Sequence, residues 1–219
     1  MTPAFDPTLA ATVEKAGIVA VLVIDDANDA VPLARALLDG GVNVMELTLR
    51  TPAALDALRE IKANVPEMLA GVGTILTTTQ VDAVVAAGAA FGVAPGCNPR
   101  ILDAARAAGL SFAPGVSTAT DIEIAVENGC KVLKLFPSEP LGGLAYLKAV
   151  AAPYAHLGLK YIPLGGVNAK NMATYLSEPL IAALGGSWLA PRDLVKAANW
   201  DAITALAAEA VTTIKSVRG

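Results

Sequence analysis

Two ionisable residues lie inside apolar segments, and their types suit covalent and proton-transfer chemistry. Lys134 lies in KVLKLFP (131–137), a run typical of a buried strand in which Val132, Lys134 and Phe136 share one face. Burial disfavours the charged form of a lysine, and a neutral amine attacks a ketone to form a Schiff base. The alternative is a structural lysine that reaches solvent at a strand end or pairs with a carboxylate.

Glu46 is the second such residue, in the apolar run VMELTL (44–49). A buried carboxylate must be paired or must keep its proton, and either state suits a general acid/base. A purely structural pair with a lysine or an arginine is the alternative. If Glu46 and Lys134 face the same strand ends, a catalytic pair is favoured, because interacting titratable groups cluster at functional sites.

Residues that could bind anions follow other predicted strands. Arg50 shares a face with Glu46 and stands at its strand's end, where a guanidinium can hold a carboxylate, and Thr74 could add a hydroxyl. The glycines of GGVN (165–168) and GGS (185–187) would let a phosphate approach backbone N–H groups. A surface arginine, ordinary strand termination and tight turns without a ligand are the respective alternatives.

Composition excludes several classes of partner. The chain has 219 residues and a net charge of −4, without a basic stripe, which argues against nucleic acid and anionic membranes. Two cysteines cannot form a disulfide framework, and the single histidine, His156, belongs to no cluster with metal-ligand spacing, so we expect no metal. The chain starts without a signal-peptide pattern and has no apolar run of membrane-span length, so we expect a cytoplasmic protein.

Short β-branched runs alternate with alanine- and leucine-rich helical stretches. Eight strands are predicted, at 18–24, 43–49, 68–74, 91–95, 111–116, 131–137, 160–166 and 181–187. This cadence predicts an α/β protein with one domain over 1–219, a (β/α)₈ TIM barrel with an extra N-terminal helix that Asp6-Pro7 opens. A doubly wound open sheet is the alternative, but neither a GxGxxG nor a Walker A motif supports it.

Seven motifs together resemble one known family, the 2-keto-3-deoxy-6-phosphogluconate (KDPG) / 4-hydroxy-2-oxoglutarate (KHG) aldolases. The motifs are GGVNVMELTLRTP (40–52), GVGTIL (71–76), APGCNP (94–99), FAPGVST (112–118), KLFP (134–137), GGVN (165–168) and GGSWLAP (185–191). The resemblance implies a class I aldolase on a (β/α)₈ barrel that needs no metal or other cofactor and is usually a homotrimer. Its substrate would be a small 2-keto acid or sugar phosphate, with cleavage of KDPG to pyruvate and glyceraldehyde 3-phosphate.

The resemblance also implies a role for each candidate residue. Lys134 would form the Schiff base, Glu46 would be the acid/base, and Arg50 and Thr74 would hold the substrate carboxylate. The pyruvate end would be shaped by Pro95, Pro114 and Phe136, and phosphate would be bound by Gly165, Gly166, Gly186 and Ser187. Where the family often has threonine this chain has Leu164, so KHG and the phosphogalactonate analogue remain alternative substrates. A non-catalytic phosphosugar-binding barrel and a metal-free isomerase or synthase are competing functions that the same glycine loops would also suit.

Overall fold

The computed structural model describes residues 4–219, in which strands and helices alternate. The strands are β1 Ile18–Leu22, β2 Val44–Thr48, β3 Leu69–Gly73, β4 Gly92–Val93, β5 Phe112–Ala113, β6 Gly115–Val116, β7 Val132–Leu135, β8 Lys160–Pro163 and β9 Leu184–Gly186. The helices are α1 Pro7–Ala16, α2 Ala30–Asp39, α3 Ala54–Asn64, α4 Thr78–Ala86, α5 Pro99–Ala107, α6 Ala119–Glu127, α7 Gly143–Ala151, α8 Met172–Leu176, α9 Arg192–Lys196 and α10 Trp200–Arg218. Short 3₁₀ helices lie at Ala27–Asp29, Glu139–Leu141, Ala152–Leu157 and Ser187–Leu189.

The strands pair in parallel throughout and form two sheets. One sheet has the order β5-β4-β3-β2-β1-β9, and the other has the order β6-β7-β8. The fifth predicted strand, 111–116, is divided into β5 and β6 at Pro114, because proline has no N–H to donate to a neighbouring strand. At the other end, a single parallel bridge joins Tyr161 on β8 to Ile181, just before β9. The parallel α/β prediction is confirmed.

Apolar side chains form two separate cores. The larger core packs the strands against the helices and takes in Leu133 and Leu135, whereas the smaller one, the inner core, takes in Val132. The predicted alternation along β7 is therefore confirmed. The inner core draws a side chain from nearly every strand or its border; its members are Phe5, Val13, Val19, Val44, Phe91, Val93, Ala113, Val132, Ile162, Ala182 and Ala183.

Helix α1 begins as the sequence predicts and contributes to the inner core. The side chain of Asp6 accepts a hydrogen bond from the backbone N–H of Leu9, and Pro7 occupies the first turn, where no N–H is needed. The ring of Phe5 lies 6.1 Å from that of Phe91, so the N-terminal segment packs against the strand interior. Within residues 4–219, no helix is both long and apolar enough to cross a bilayer.

Candidate active site

The Lys134 and Glu46 side chains meet in the interior, between strands β7 and β2. Lys134 Nζ lies 3.1 Å from Glu46 Oε1 and 3.4 Å from Oε2. Lys134 is only 6% exposed and Glu46 only 3%, so little water solvates either group. A hydrogen bond between a lysine and a carboxylate is electrostatically stronger in such an interior than it would be in water.

Two neighbours define the space around this pair. The ring centroid of Phe136 lies 5.7 Å from Lys134 Nζ, which places an aromatic face beside the amine. On β3, a Cβ at Gly73 would lie only 1.7 Å from Glu46 Oε1, so the carboxylate occupies space that any other residue at position 73 would fill. Glycine at position 73 therefore allows Glu46 to reach Lys134.

A small cavity of about 20 Å³ adjoins the pair and has room for about one water molecule. Its lining residues are Val19, Glu46, Phe91, Val93, Ala113, Lys134, Ile162, Leu164 and Gly185. Leu164 packs closely on Gly185, where a Cβ would lie 2.2 Å from Leu164 Cδ1. The residue at which this sequence departs from the family pattern thus lies beside the lysine–glutamate pair.

The two predicted carboxylate ligands lie at the ends of β2 and β3. Arg50 is exposed, and its Nε donates to the hydroxyl of Thr48, 3.2 Å away, whose hydroxyl in turn donates to the carbonyl of Leu22. Thr74 is half-buried and has a φ of +63°, a left-handed conformation that is an outlier for a β-branched residue. Such strain is concentrated at functional sites, where the surrounding structure holds it in place.

The two predicted prolines lie next to each other across the β4 and β6 ends. Pro95 is exposed, whereas Pro114 is buried and its carbonyl accepts a 2.8 Å hydrogen bond from the backbone N–H of Lys134. A Cβ at Gly115 would lie 2.2 Å from the carbonyl carbon and oxygen of Pro95. Glycine at 115 therefore permits the close approach of the two proline segments.

The predicted phosphate residues lie at the carboxyl ends of β8 and β9. Gly165 and Gly166 have φ angles of +96° and +89°, which only glycine adopts without strain. Gly186 is buried and packs against the ring of Trp188, and Ser187 is exposed. The carboxyl end of β8 lies beside that of β7, and the carboxyl end of β9 lies beside that of β1, because both pairings are parallel.

The glycine loop 165–168 is held by the side chains of Asn168 and Asn171. The carbonyl of Gly166 accepts hydrogen bonds from Asn168 Nδ2 at 2.9 Å and from Asn171 Nδ2 at 3.3 Å. The backbone N–H of Asn168 donates to Asn171 Oδ1 at 2.8 Å. The loop is therefore held in a fixed conformation on the strand edge.

Cys97 is half-buried, Cys130 is buried and His156 is exposed. Burial raises the pKa of Cys97 to about 11 and that of Cys130 to about 12, so both thiols stay protonated near neutral pH. His156 lies in the 3₁₀ helix that leads to the amino end of β8, away from the strand edge that carries Lys134. Within residues 4–219, no group of three or more His, Cys, Asp or Glu side chains is arranged to hold a metal ion.

Sequence reasoning missed four residues that shape this site. Gly73 admits the Glu46 carboxylate, and a connected set of side chains, Ser138, Glu139 and Tyr175, joins the segment after β7 to helix α8. A glycine within a strand signals a close approach, so GVGT indicates one at position 73 but does not show that the Glu46 side chain makes it. The other three have no such signal, because Tyr175 is 36 residues from Glu139.

The fold is a parallel α/β fold, and its buried lysine–carboxylate pair suits a class of enzyme that forms covalent adducts with carbonyl compounds. The family model for KDPG and KHG aldolase matches residues 9–206. The chain belongs to the KDPG and KHG aldolase family.

Named relatives support this assignment over most of the chain. The chain is 43% identical over 194 residues to a 2-dehydro-3-deoxy-phosphogluconate aldolase of Pseudoalteromonas atlantica, covering 89% of each protein. It is 40% identical over 198 residues to the KHG/KDPG aldolase of Escherichia coli K12, covering 90% of this chain and 92% of that protein.

A solved structure shows the same fold with a trapped intermediate. The KDPG aldolase of Legionella pneumophila, with pyruvate captured as a covalent carbinolamine, superposes with a TM-score of 0.87 at 38% identity. The match covers 91% of this chain and 96% of that one. A carbinolamine is the intermediate that a lysine amine forms with a ketone before a Schiff base.

Proposed function

We propose that this protein is a class I aldolase that cleaves 2-dehydro-3-deoxy-6-phosphogluconate to pyruvate and glyceraldehyde 3-phosphate. One observation carries the proposal: Lys134 Nζ lies 3.1 Å from Glu46 Oε1, and both side chains are buried. Family membership supports the same activity, because its named relatives are aldolases for this substrate.

The pair supplies the neutral amine that the reaction needs. Transfer of one proton from Lys134 Nζ to Glu46 along their hydrogen bond turns two charged groups into two neutral ones. Burying two charges is costly in a dry interior, which brings the neutral arrangement closer in energy to the ion pair. The amine then has a free electron pair, and Glu46 holds the proton that the next step consumes.

The proposed cleavage follows from these roles. The amine of Lys134 attacks C2 of the keto acid, and Glu46 returns protons so that the carbinolamine loses water and becomes an iminium ion. The iminium accepts the electrons of the C3–C4 bond when Glu46 removes the proton of the C4 hydroxyl, and the aldehyde leaves. The remaining enamine takes a proton at C3, and water hydrolyses it to pyruvate and free Lys134.

The surrounding candidates are assigned to substrate binding. Arg50 and Thr74 at the ends of β2 and β3 would hold the carboxylate and orient C2 toward the amine. The aromatic face beside Lys134 and the paired prolines would shape the pyruvate end; these residues are Phe136, Pro95 and Pro114. The glycine loops would bind phosphate through their N–H groups and contribute binding energy away from the reacting bond; these residues are Gly165, Gly166, Gly186 and Ser187.

We propose that the two sheets are arcs of one closed (β/α)₈ barrel that comprises a single domain over 1–219. Support comes from Pro114, which alone separates β5 from β6, and from the bridge between Tyr161 and Ile181 at the other junction. An inner core with side chains from nearly every strand is typical of a barrel interior. Phe5 and helix α1 would close the amino end of this barrel.

4-Hydroxy-2-oxoglutarate is the second candidate substrate, and Leu164 favours it. Leu164 lines the cavity beside Lys134 and Glu46 with an apolar side chain that offers no hydrogen bond to a substrate hydroxyl. A shorter keto acid with fewer hydroxyl groups loses little at such a position. The E. coli relative is named for both substrates, which supports testing both.

Assembly is the last proposed property. Leu76, before helix α4, is 52% exposed, and Val85 on α4 is 36% exposed, and both are large apolar side chains. A neighbouring subunit of the homotrimer that the family resemblance implies would cover apolar surface of this kind. Sedimentation equilibrium of the purified protein tests the assignment, with a mass of one chain as the contrary result.

A coupled assay of pyruvate release tests the function. Lys134→Met should abolish cleavage of both keto acids with the fold retained, because methionine fills similar space without an amine. Lys131→Met is the matched control, since Lys131 stands just before the same strand, is exposed and donates to the carbonyl of Leu157. Wild-type activity in Lys134→Met, or no cleavage of either keto acid by the unaltered protein, would reject the proposal.

A further inference from the structure

The segment directly after the lysine strand continues to pair with the glycine loop. The backbone N–H of Ser138 donates to the carbonyl of Leu164 at 2.8 Å, and that of Glu139 donates to the carbonyl of Gly165 at 2.9 Å. Residues 138–139 therefore run alongside the start of the loop proposed to bind phosphate. Any shift of one segment relative to the other alters the distance between that loop and Lys134.

Three side chains join the same segment to helix α8. Ser138 is fully buried, and its hydroxyl lies 2.9 Å from the hydroxyl of Tyr175. The Tyr175 hydroxyl donates a hydrogen bond to Glu139 Oε1. Burial and the Glu139 carboxylate raise the pKa of Tyr175 to about 12, so this hydroxyl keeps its proton and remains a donor at neutral pH.

The stem of Glu139 packs directly on the loop. A Cβ at Gly166 would lie 2.5 Å from Glu139 Cβ and 2.7 Å from its Cγ, so the Glu139 side chain packs on the loop backbone in space that only glycine at 166 leaves open. The side chain of Glu139 is held at its far end by Tyr175. On the other side, the carbonyl of Gly166 is held by Asn168 and Asn171.

We infer that Glu139 and Tyr175 are positioning residues that fix the Gly165–Gly166 loop relative to Lys134, and so set the affinity for the phosphate end of the substrate. The inference rests on the proposed function for its substrate. Neither residue touches the reacting atoms. Glu139 acts by packing its stem on Gly166, and Tyr175 acts by holding Glu139 in that position.

If Glu139 and Tyr175 have this role, replacing them should weaken binding of the phosphorylated substrate but leave Schiff-base formation with pyruvate unchanged. Schiff-base formation with pyruvate uses Lys134 but no phosphate, so it is insensitive to the loop position. Binding of the phosphorylated substrate depends on the loop N–H groups, and loss of one supporting hydrogen bond should raise its KM by roughly 3- to 10-fold. A merely structural role would instead impair both, together with the stability.

The experiment compares four variants with the unaltered full chain. Tyr175→Phe removes only the hydroxyl, and Glu139→Ala removes both the acceptor and the stem that packs on Gly166. Glu139→Gln keeps the stem and an acceptor oxygen, so its KM should stay close to that of the unaltered chain. Tyr154→Phe is the matched control, because Tyr154 also donates to a glutamate, Glu123, but lies away from the loop.

Three readouts are taken for each variant: KM and kcat for KDPG, the rate of borohydride trapping with pyruvate, and the dissociation constant of inorganic phosphate by NMR titration. We expect Tyr175→Phe and Glu139→Ala to raise KM and the phosphate dissociation constant with kcat and trapping changed less than about twofold. Equal changes in KM and trapping, or unchanged KM and phosphate binding, would overturn the inference.

Failure of the proposed function gives a different pattern. If the unaltered protein does not cleave KDPG, the phosphate titration still tests the loop, and a weaker affinity in both variants upholds the positioning role. Absence of phosphate binding by the unaltered protein overturns it. If Tyr175→Phe does not fold, the comparison of Glu139→Ala with Glu139→Gln tests the positioning role instead. Both variants should fold, because Glu139 is exposed and its replacement leaves the core intact.

Discussion

Replacing Gly73 by alanine places a methyl group where the Glu46 carboxylate lies. The new Cβ would stand 1.7 Å from Oε1 and 2.5 Å from Cδ. Non-bonded carbon and oxygen atoms approach to about 3.3 Å, so the carboxylate must move by roughly 1.5 Å or the strands must part. Such a displacement would break the 3.1 Å hydrogen bond between Lys134 Nζ and Glu46 Oε1.

The expected loss of activity follows from that displacement. A misplacement of about 1 Å in a reacting geometry can cost on the order of 10²-fold, and loss of a general acid/base costs roughly 10²–10⁴-fold. We expect Gly73→Ala to lower kcat for KDPG cleavage by about 10²- to 10³-fold. Gly96→Ala is the matched control, because a Cβ at Gly96 meets no atom within 4 Å and its φ is not in the left-handed region.

A double-mutant cycle shows whether the loss passes through Glu46. If Gly73→Ala acts by displacing that carboxylate, adding it to Glu46→Gln should cost little more than Glu46→Gln alone. Steady-state pyruvate release measures all four proteins, and circular dichroism verifies that each is folded. A loss below about threefold in Gly73→Ala, or fully additive losses in the double variant, would show that Gly73 does not act by making room for Glu46.

Three further predictions concern the acid/base residue, a helix start and the C-terminal helix. Glu46→Gln should slow turnover by roughly 10²–10⁴-fold in the same assay, and an effect below about threefold would assign Glu46 a structural role. Burial alone raises the pKa of Asp121, but hydrogen bonds from the two residues before α6 outweigh it and hold the pKa below its ordinary value. Asp121→Asn should therefore lower the free energy of unfolding by about 1 kcal/mol at pH 7. This deficit should vanish as the pH falls below about 4, because the carboxyl group is then protonated. A deficit that persists at pH 2 in urea titrations would contradict this link between ionisation of Asp121 and stability. Arg218 donates to four backbone carbonyls, so Arg218→Ala should cost about 1–3 kcal/mol by urea unfolding, while Lys215→Ala on the same helix should cost under about 0.5 kcal/mol.

Strand alternation made the central pair predictable. In β7 it places Lys134 on the face of Val132, toward the inner core, and in β2 it turns Glu46 the same way. Parallel strands bring their carboxyl ends to one edge, which explains how residues 88 positions apart come into contact. The contact meets the condition under which a catalytic pair is favoured, and the catalytic roles of the two residues stay a prediction.

Contacts that depend on strand register, or on how a side chain leans across to a neighbouring element, were not predictable. Gly73 pairs with Thr48 rather than with Glu46, so its closeness to the carboxylate depends on how the Glu46 side chain leans across to β3. Tyr175 lies on a helix of five residues, too short for a periodic pattern to show which face it buries. The sequence also cannot show that residues 138–139 continue pairing beyond the end of β7.

Strand lengths were overestimated for a physical reason. The run 91–95 predicts five strand residues, but only Gly92 and Val93 form the regular ladder of β4. At its end Pro95 lacks an N–H, and Gly115 lets the neighbouring segment approach the carbonyl of Pro95. Proline and glycine therefore end the ladder early, at the same places where the candidate site begins.

Borohydride reduction in the presence of pyruvate asks directly whether Lys134 forms a Schiff base. We predict one reduced pyruvyl adduct per chain by intact-protein mass spectrometry, mapped by peptide sequencing to Lys134 and absent from Lys134→Met. No adduct, or an adduct on another lysine that persists in Lys134→Met, would contradict the covalent role of Lys134.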